Sequence, residues 1–118
     1  MTEPFSIPGI FTDPTVWQSL KWEPFREGVD VSWIYQSDIP TGPAAAFLRY
    51  EAGATVPEHE HTGYEHILVL VGAQSDKNGN YLTGSLAINT PGARHTVQSE
   101  HGCIVLAIWE KPVRFTEA

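Results

Sequence analysis

One stretch of this chain carries most of its structural information: Gly53-Ala-Thr-Val-Pro57-Glu-His59-Glu-His61-Thr-Gly-Tyr-Glu65-His-Ile-Leu-Val-Leu-Val-Gly72. His59 and His61 are two residues apart, so on a β-strand their side chains project from the same face. On an α-helix the same spacing would send them to nearly opposite sides, so the pair indicates extended chain. Thr62-Gly63 allows a turn that would bring Glu65 beside both histidines on the next strand. The stretch therefore predicts two strands that gather two imidazoles and one carboxylate.

This donor set predicts a metal site. Imidazole nitrogens together with a carboxylate suit one borderline divalent ion: zinc, iron, manganese, nickel, cobalt or copper. A fourth ligand is suggested by His95, which follows the turn residues Pro91-Gly92 at a point where a strand would restart. A lone histidine after a turn is usually a solvated surface residue, and His95 gains its weight from the first stretch. The predicted metal ligands are His59, His61, Glu65 and His95.

Two alternatives explain the same residues without a metal. In one, the hairpin is polar, faces solvent and holds its histidines by chance. In the other, the fold is intact and the site is empty. A complete spaced pattern is harder to reach by accident than a lone motif. An empty site would also leave buried imidazoles and a carboxylate without a partner, which is costly. We therefore favour the hypothesis that these residues bind a metal ion.

The rest of the sequence indicates an all-β domain. From Lys21 onward, short β-type runs are separated by turn residues such as Pro40-Thr-Gly-Pro43. Asn78-Gly79 is a pair that tight hairpins select, because both positions tolerate positive φ. Many short strands with regularly spaced turns predict a sandwich or barrel. The candidate strands are Lys21–Glu23, Val29–Tyr35, Ala44–Tyr50, Glu65–Val71, Gly84–Asn89 and Cys103–Trp109.

The first twenty residues differ from the rest. Three prolines in this segment each remove a backbone donor and discourage regular structure. Asp13-Pro14 predicts one short helix through Leu20, with Asp13 as N-cap and Pro14 at the first helical position. An irregular arm lying across the domain is the alternative. We expect an N-terminal arm over residues 1–20 and a single domain over residues 21–118.

Composition narrows the class of protein. The chain has 118 residues, the size of one ordinary domain, and its 42% apolar share is too high for a disordered chain. Its net charge is −7, and an acidic surface repels phosphate backbones, so we expect no nucleic-acid partner. The longest apolar run, Ile67–Val71, is strand-sized, so we expect no membrane span. The single Cys103 and an N-terminus without a basic segment predict a cytoplasmic protein.

The first stretch resembles a known motif. Gly53-x5-His59-x-His61-x3-Glu65-x6-Gly72 matches the first motif of the cupins at every specified position. The resemblance implies a small all-β cupin barrel, a double-stranded β-helix or jelly roll of the RmlC-like kind. It also implies that three histidines and one glutamate bind a metal inside the barrel.

The second cupin motif is matched more loosely. Gly84, Pro91, Gly92 and His95 correspond to it, but the proline and glycine are adjacent rather than separated by one residue. Ser99 stands where an asparagine is usual. These departures affect the role of Ser99 and the assignment of His95, and they leave the first motif intact.

Three further phrases resemble the ChrR-like cupin subfamily: Leu48-Arg-Tyr-Glu-Ala-Gly53, Ser75-Asp-x-x-Gly79-x-Tyr81 and His101-Gly-Cys-Ile-Val105. The resemblance covers roughly Trp22 to Phe115 and implies a homodimer. Such cupins resemble the C-terminal half of zinc-dependent anti-sigma factors. No long helical pattern precedes Trp22, and one cysteine cannot supply the zinc ligands of the other half. We therefore expect no sigma-factor binding by that route.

The polar neighbours of the predicted ligands are expected to point away from the metal. His66 directly follows one ligand, and Glu58 and Glu60 alternate with the ligand histidines, so strand parity turns all three outward. His101 lies in a turn and is expected to be solvated. Cys103 begins an apolar strand, so we expect a buried, unreactive thiol.

Two kinds of side chain have open roles. Arg49 would clamp an anionic ligand if it pointed into the barrel, although a surface arginine is the commoner outcome. The four tryptophans are expected mainly to fill the core or an interface with their large apolar side chains, and one or two of them could line a ligand pocket. The sequence does not choose among Trp17, Trp22, Trp33 and Trp109.

Three classes of function fit these residues. The leading one is a metal-dependent enzyme acting on a small organic molecule, with oxygenation of enolic or diketone compounds as the first reaction class. This choice of reaction rests on fold-level analogy. In it Glu65 is a ligand or, if it swings free, a proton acceptor. The second class is a metal-bound ligand sensor without catalysis, and the third is a structural or storage barrel.

Overall fold

The fold is almost entirely β-structure, as predicted. The computed structural model describes residues 3–116. No helix within that range is long and apolar enough to cross a membrane. The elements in chain order are α1 (Val16–Ser19), β1 (Glu23–Arg26), β2 (Val29–Gln36), β3 (Ala44–Tyr50), β4 (Ala54–His61), β5 (Glu65–Asp76), β6 (Gly79–Leu82), β7 (Leu86–Asn89), β8 (Arg94–Ser99), β9 (Cys103–Trp109) and β10 (Val113–Phe115).

The strands form one curled antiparallel sheet. Its neighbours run in the order β1-β2-β3-β9-β5-β8-β4-β10, and β6 and β7 also pair with β5. β5 joins the two halves of the sheet, because its first half pairs with β9 and β7 and its second half with β6 and β8. Within residues 3–116 the sheet ends at β1 and β10. The Arg26 guanidinium lies 4.1 Å from the Phe115 ring centroid, so side chains close the seam between these two strands.

Strand alternation builds two apolar layers. On β3, Ala46 and Leu48 belong to the interior of the curled sheet, whereas Phe47 belongs to a second cluster on its outer face. The predicted N-terminal arm packs on that outer face, where Trp17 meets Phe47 edge-on at 5.4 Å between ring centroids. The boundary predicted at residue 21 stays a prediction. The arm residues that pack on the outer cluster are Ile7, Ile10, Val16, Trp17 and Leu20.

Two β-bulges change which side chains point inward. In β4 the register against β8 shifts between Val56 and His59, so both of these residues are buried although they are three apart. In β5 the register against β9 shifts between Val69 and Val71. Val69 before the bulge and Gln74 after it are both buried, although they are five residues apart and would lie on opposite faces of a regular strand. Each extra residue reverses the in–out alternation, as a bulge does.

Some predicted boundaries were wrong. Helix α1 begins later than predicted: Thr15 is its N-cap, and Asp13 instead accepts hydrogen bonds from the Thr15 amide and hydroxyl. The first strand starts at Glu23 rather than Lys21. The β5–β6 hairpin turns at Lys77-Asn78, and neither Asn78 nor Gly79 has positive φ, so the reason given for that turn was wrong.

Four strands were missing from the candidate strands, namely Ala54–His61, Gly79–Leu82, Arg94–Ser99 and Val113–Phe115. The histidine spacing had indicated extended chain at His59 and His61 and a restarting strand at His95, but not the bounds of β4 and β8. The buried positions of these two strands mix apolar residues with histidines and a serine, and a bulge interrupts β4, so neither shows a clean apolar alternation. The three-residue β10 is too short to show any period.

We predict that Gly72→Ala destabilises the fold more than Gly84→Ala. Both glycines have positive φ, at 77° and 90°, so each alanine loses about 1 kcal/mol. At Gly72 the new Cβ would also lie 2.2 Å from the Gly102 carbonyl oxygen, whereas nothing lies within 4 Å at Gly84. This overlap should cost roughly 1–3 kcal/mol more. Urea unfolding of both variants measures the difference, and equal losses would contradict the prediction.

Candidate metal centre

Three predicted ligands come together inside the sheet. His59 on β4 lies directly opposite His95 on β8, and His61 follows two residues along the same face. All three are buried, at 5%, 6% and 1% exposure, and each offers a nitrogen within 4.8 Å of the others. The structure therefore brings together three of the four predicted ligands, and their binding of a metal stays a prediction. Removing them from solvent is costly unless their nitrogens find partners.

Hydrogen bonds to the outer ring nitrogens set the tautomers of two histidines. His59 Nδ1 lies 2.9 Å from the Pro57 carbonyl oxygen, and His95 Nδ1 lies 2.8 Å from Asp76 Oδ2. A carbonyl and a carboxylate only accept, so both Nδ1 atoms donate. Each neutral ring is left with an unprotonated Nε2. This is the tautomer that a metal ligand requires.

The ionisation of the cluster also favours metal binding. His61 Nε2 lies 3.0 Å from His95 Nε2, which is hydrogen-bond distance between the two rings. Burial lowers the pKa of His59, and burial followed by the positive charge of its two neighbours lowers the pKa of His61 to about 4. His59 and His61 are therefore neutral at pH 7. Neutral, converging imidazoles fit a borderline divalent ion.

Asp76 is the main residue of the centre that the sequence prediction missed. It ends β5, and its other oxygen accepts hydrogen bonds from the Tyr81 hydroxyl and the Asn78 amide, both at 2.8 Å. Burial alone would raise the pKa of Asp76, but hydrogen bonds from His95, Asn78 and Tyr81 hold it below its usual range. Asp76 is therefore a fixed anion that orients His95. The only signal was its presence in a family-like phrase, because its partner is distant in sequence.

The fourth predicted ligand, Glu65, lies beside the cluster but outside it. Its Oε1 is 3.7 Å from His61 Nε2, and it comes from the opposite half of the sheet rather than from a strand paired with β4. Asn89 Nδ2 donates to Oε1 at 2.9 Å, and Trp109 Nε1 donates to Oε2 at 2.5 Å. Burial raises the pKa of Glu65 to about 7, although both hydrogen bonds oppose the rise. The assignment of Glu65 as a metal ligand stays a prediction.

A small cavity opens beside the histidines. It has a volume of about 50 Å³ and is lined by His59, Glu65 and His95 together with apolar side chains of both halves of the sheet. A larger groove of about 370 Å³ lies outside it, and Trp33 lines this outer groove. Four side chains line both spaces and separate them: Phe25, Trp109, Val113 and Phe115.

The polar residues expected to point away do so. Glu58, His66 and His101 are exposed. Glu60 pairs on the outside with Arg94 and Arg114. Cys103 is buried, as expected, and burial raises the pKa of its thiol.

The open roles of Arg49 and the tryptophans are also resolved. Arg49 lies on the outer surface, where it pairs with Asp30 at 3.0 Å and stacks on Trp22 at 4.2 Å. It therefore clamps no ligand in the barrel. Trp109 lines the inner cavity and Trp33 the outer groove, whereas Trp17 and Trp22 pack in the outer-face cluster.

Comparison with known proteins supports the resemblance. The sequence profile described as "ChrR Cupin-like domain" matches residues 15–112. The chain belongs to this cupin family. It is 36% identical over 96 residues to the anti-sigma-E factor ChrR of Cereibacter sphaeroides, covering 73% of this chain and 45% of that protein. The chain thus spans less than half of this relative.

Solved structures show the same fold. A structure of Rhodobacter sphaeroides SigE in complex with the anti-sigma ChrR has a TM-score of 0.70 at 29% identity, over 78% of this chain and 50% of that one. An RmlC-like cupin protein of Ralstonia eutropha JMP134 has a TM-score of 0.72 at 25% identity, over 81% and 66%. An acetylacetone dioxygenase of Acinetobacter johnsonii has a TM-score of 0.74 at 18% identity, over 81% and 72%. The predicted cupin fold is confirmed.

We predict that Glu65 makes the metal-free protein less stable as the pH rises. Its folded pKa of about 7 lies above its ordinary value of 4.5, so the folded state holds a proton that the unfolded state has lost. The protonated Glu65 therefore contributes roughly 3 kcal/mol to the free energy of unfolding below about pH 4.5, and this stabilisation is lost as the pH rises through about 7. Glu65→Gln lacks it. Unfolding at about pH 5 and about pH 8 should favour the variant more at the higher pH.

The exposed Glu58→Gln is the matched control for this measurement, and it should differ from the unchanged protein equally at both pH values. The same constant difference for Glu65→Gln would show that Glu65 ionises normally.

Proposed function

We propose that this protein is a metal-dependent cupin enzyme that oxygenates a small enolisable dicarbonyl compound. The observation that carries the proposal is the grouping of three buried imidazoles with the Glu65 carboxyl 3.7 Å from one of them, at an apolar cavity. The name of the acetylacetone dioxygenase with the same fold supports the choice of reaction. A divalent ion bound at this site supplies Lewis acidity and, if it is redox-active, chemistry with oxygen.

The histidines hold the metal in this proposal. Their hydrogen bonds to Pro57 and Asp76 fix the tautomers before any ion arrives, so little reorganisation accompanies binding. No described lysine or arginine lines the inner cavity. An anionic ligand therefore depends on the ion for charge compensation.

Glu65 Oε1 accepts a proton from the substrate in this proposal. Loss of a proton converts a dicarbonyl compound into its enolate, the form that reacts with oxygen. Burial raises the pKa of the Glu65 carboxyl to about 7 in the metal-free protein, so this buried group is able to hold a proton. The Trp109 indole and the Asn89 amide hold the carboxyl in place through this exchange.

We predict that the protein, purified without an affinity tag for metals, contains close to one divalent ion per chain. His59→Ala and His61→Ala should abolish this content because each removes a converging nitrogen. Asp76→Asn should weaken affinity about 10–100-fold because it loosens the ring of His95. Elemental analysis and metal titration measure both effects. His66→Ala, on the outer surface, is the control, and equal loss in it would refute the site.

We predict that iron-loaded protein consumes oxygen when acetylacetone or a related dicarbonyl compound is added. Glu65→Gln should keep the iron and lose most of this oxygen uptake, because its amide accepts no proton. An oxygen electrode measures the rate. Loss of iron from Glu65→Gln would instead make Glu65 a ligand. No uptake with any of a broad panel of such compounds would reject the oxygenase proposal.

A ligand sensor without catalysis is the second candidate function. The 36% identity to ChrR favours it, because that relative is an anti-sigma factor. Reversible binding of small ligands to the metal-loaded protein without oxygen uptake would support the sensor. The expectation of no sigma-factor binding stays a prediction, and a pull-down that captures a sigma factor would contradict it.

The homodimer and the cytoplasmic location also stay predictions. The outer face of the sheet exposes Leu86 and Ile88 on β7 and Ile108 on β9, with His66 of β5 between the two isoleucines, and this apolar exposure supports self-association.

A further inference from the structure

A polar pair lies in the interior away from the histidine cluster. Tyr50 ends β3, where it is paired with Cys103, and Gln74 lies beyond the bulge of β5. They are only 7% and 5% exposed, and both line the same cavity as His59, Glu65 and His95. The remaining walls of this cavity include Val29, Leu48, Val56, Ile67 and Val97.

The pair retains unused hydrogen-bonding capacity. The Gln74 side chain hydrogen-bonds the Tyr50 phenol. A phenol can donate once and accept twice, and a primary amide can donate twice and accept twice, so each group has capacity for a further partner. Within residues 3–116 no buried side-chain nitrogen or oxygen lacks a partner altogether. Burial raises the pKa of the Tyr50 phenol. Tyr50 therefore remains a neutral donor.

Packing alone does not explain these two residues. A phenylalanine at position 50 and a methionine at position 74 would fill similar space with no polar group to satisfy. Buried polar groups cost free energy when their hydrogen bonds are incomplete. A ligand oxygen in the cavity would complete them.

We propose that Tyr50 and Gln74 bind one oxygen of a small dicarbonyl ligand whose other oxygen points toward His59, His61 and His95. This inference rests on the proposed metal site and names the residues that select its ligand. The cavity of about 50 Å³ restricts the ligand to a short molecule, and its apolar walls favour a hydrocarbon spacer between the two oxygens. Specificity then comes from oxygen spacing, because a molecule with one oxygen reaches only one end.

The test measures ligand binding and not turnover. Cobalt-loaded protein is titrated with acetylacetone and, separately, with azide, and the visible absorption of cobalt reports binding. Tyr50→Phe and Gln74→Met should each weaken acetylacetone binding about tenfold, the value of one hydrogen bond. Azide, a metal ligand that has no carbonyl oxygen to offer the pair, should bind all proteins equally. The exposed Tyr35→Phe should bind both probes as the unchanged protein does.

Cobalt content and thermal melting verify that each variant is folded. Gln74→Met keeps the side-chain volume and is the second variant if Tyr50→Phe fails to fold. Equal acetylacetone affinity in a folded variant and the unchanged protein would overturn the inference, as would azide binding without acetylacetone binding. Failure to bind cobalt would overturn both this inference and the metal site. Weakened acetylacetone binding in a protein that consumes no oxygen would uphold this inference and reject only the oxygenase.

Discussion

The pairing of β4 with β8 is the constraint on which the candidate centre depends. It sets His59 opposite His95, and the bulge before His59 turns both histidines of β4 to the side that already carries Val56. A slip of one residue would move every side chain of β4 to the other face. The apolar contact of Val56 with the core and the convergence of the histidines therefore require the same register. The core therefore cannot pack correctly without also bringing the histidines together.

Burial gives the centre its chemical character. It keeps His59 and His61 neutral, so their nitrogens can bind a cation, and it raises the pKa of Glu65 toward neutrality. The pKa of Asp76 is lowered instead, because three hydrogen bonds outweigh the effect of its burial and keep the carboxylate charged. Two buried carboxyl groups thus have different tasks. Asp76 is charged and orients the His95 ring, whereas burial favours the protonated form of Glu65.

The ends of the sheet determine how the cavity communicates with solvent. β1 and β10 meet through Arg26, Phe25 and Phe115 rather than through a backbone ladder. Side chains can change rotamer without breaking backbone hydrogen bonds, so access at this seam costs less than opening a strand pair. The Phe115 ring also lies 5.6 Å from the His59 ring, so this seam borders the histidine cluster. The seam lies between the inner cavity and the outer groove.

The sequence by itself determined the all-β class, the cupin family and the three histidines, because these depend on local spacing. His59 and His61 share a face through strand parity, and the turn before His95 restarts a strand. The tertiary structure alone decided what depends on distant residues or on bulges. Asp76 reaches His95 across 19 positions, Trp109 reaches Glu65 across 44, and Tyr50 and Gln74 meet across the interior. A bulge leaves no period in the sequence, so the alternation beyond it could be established only when the strands were paired.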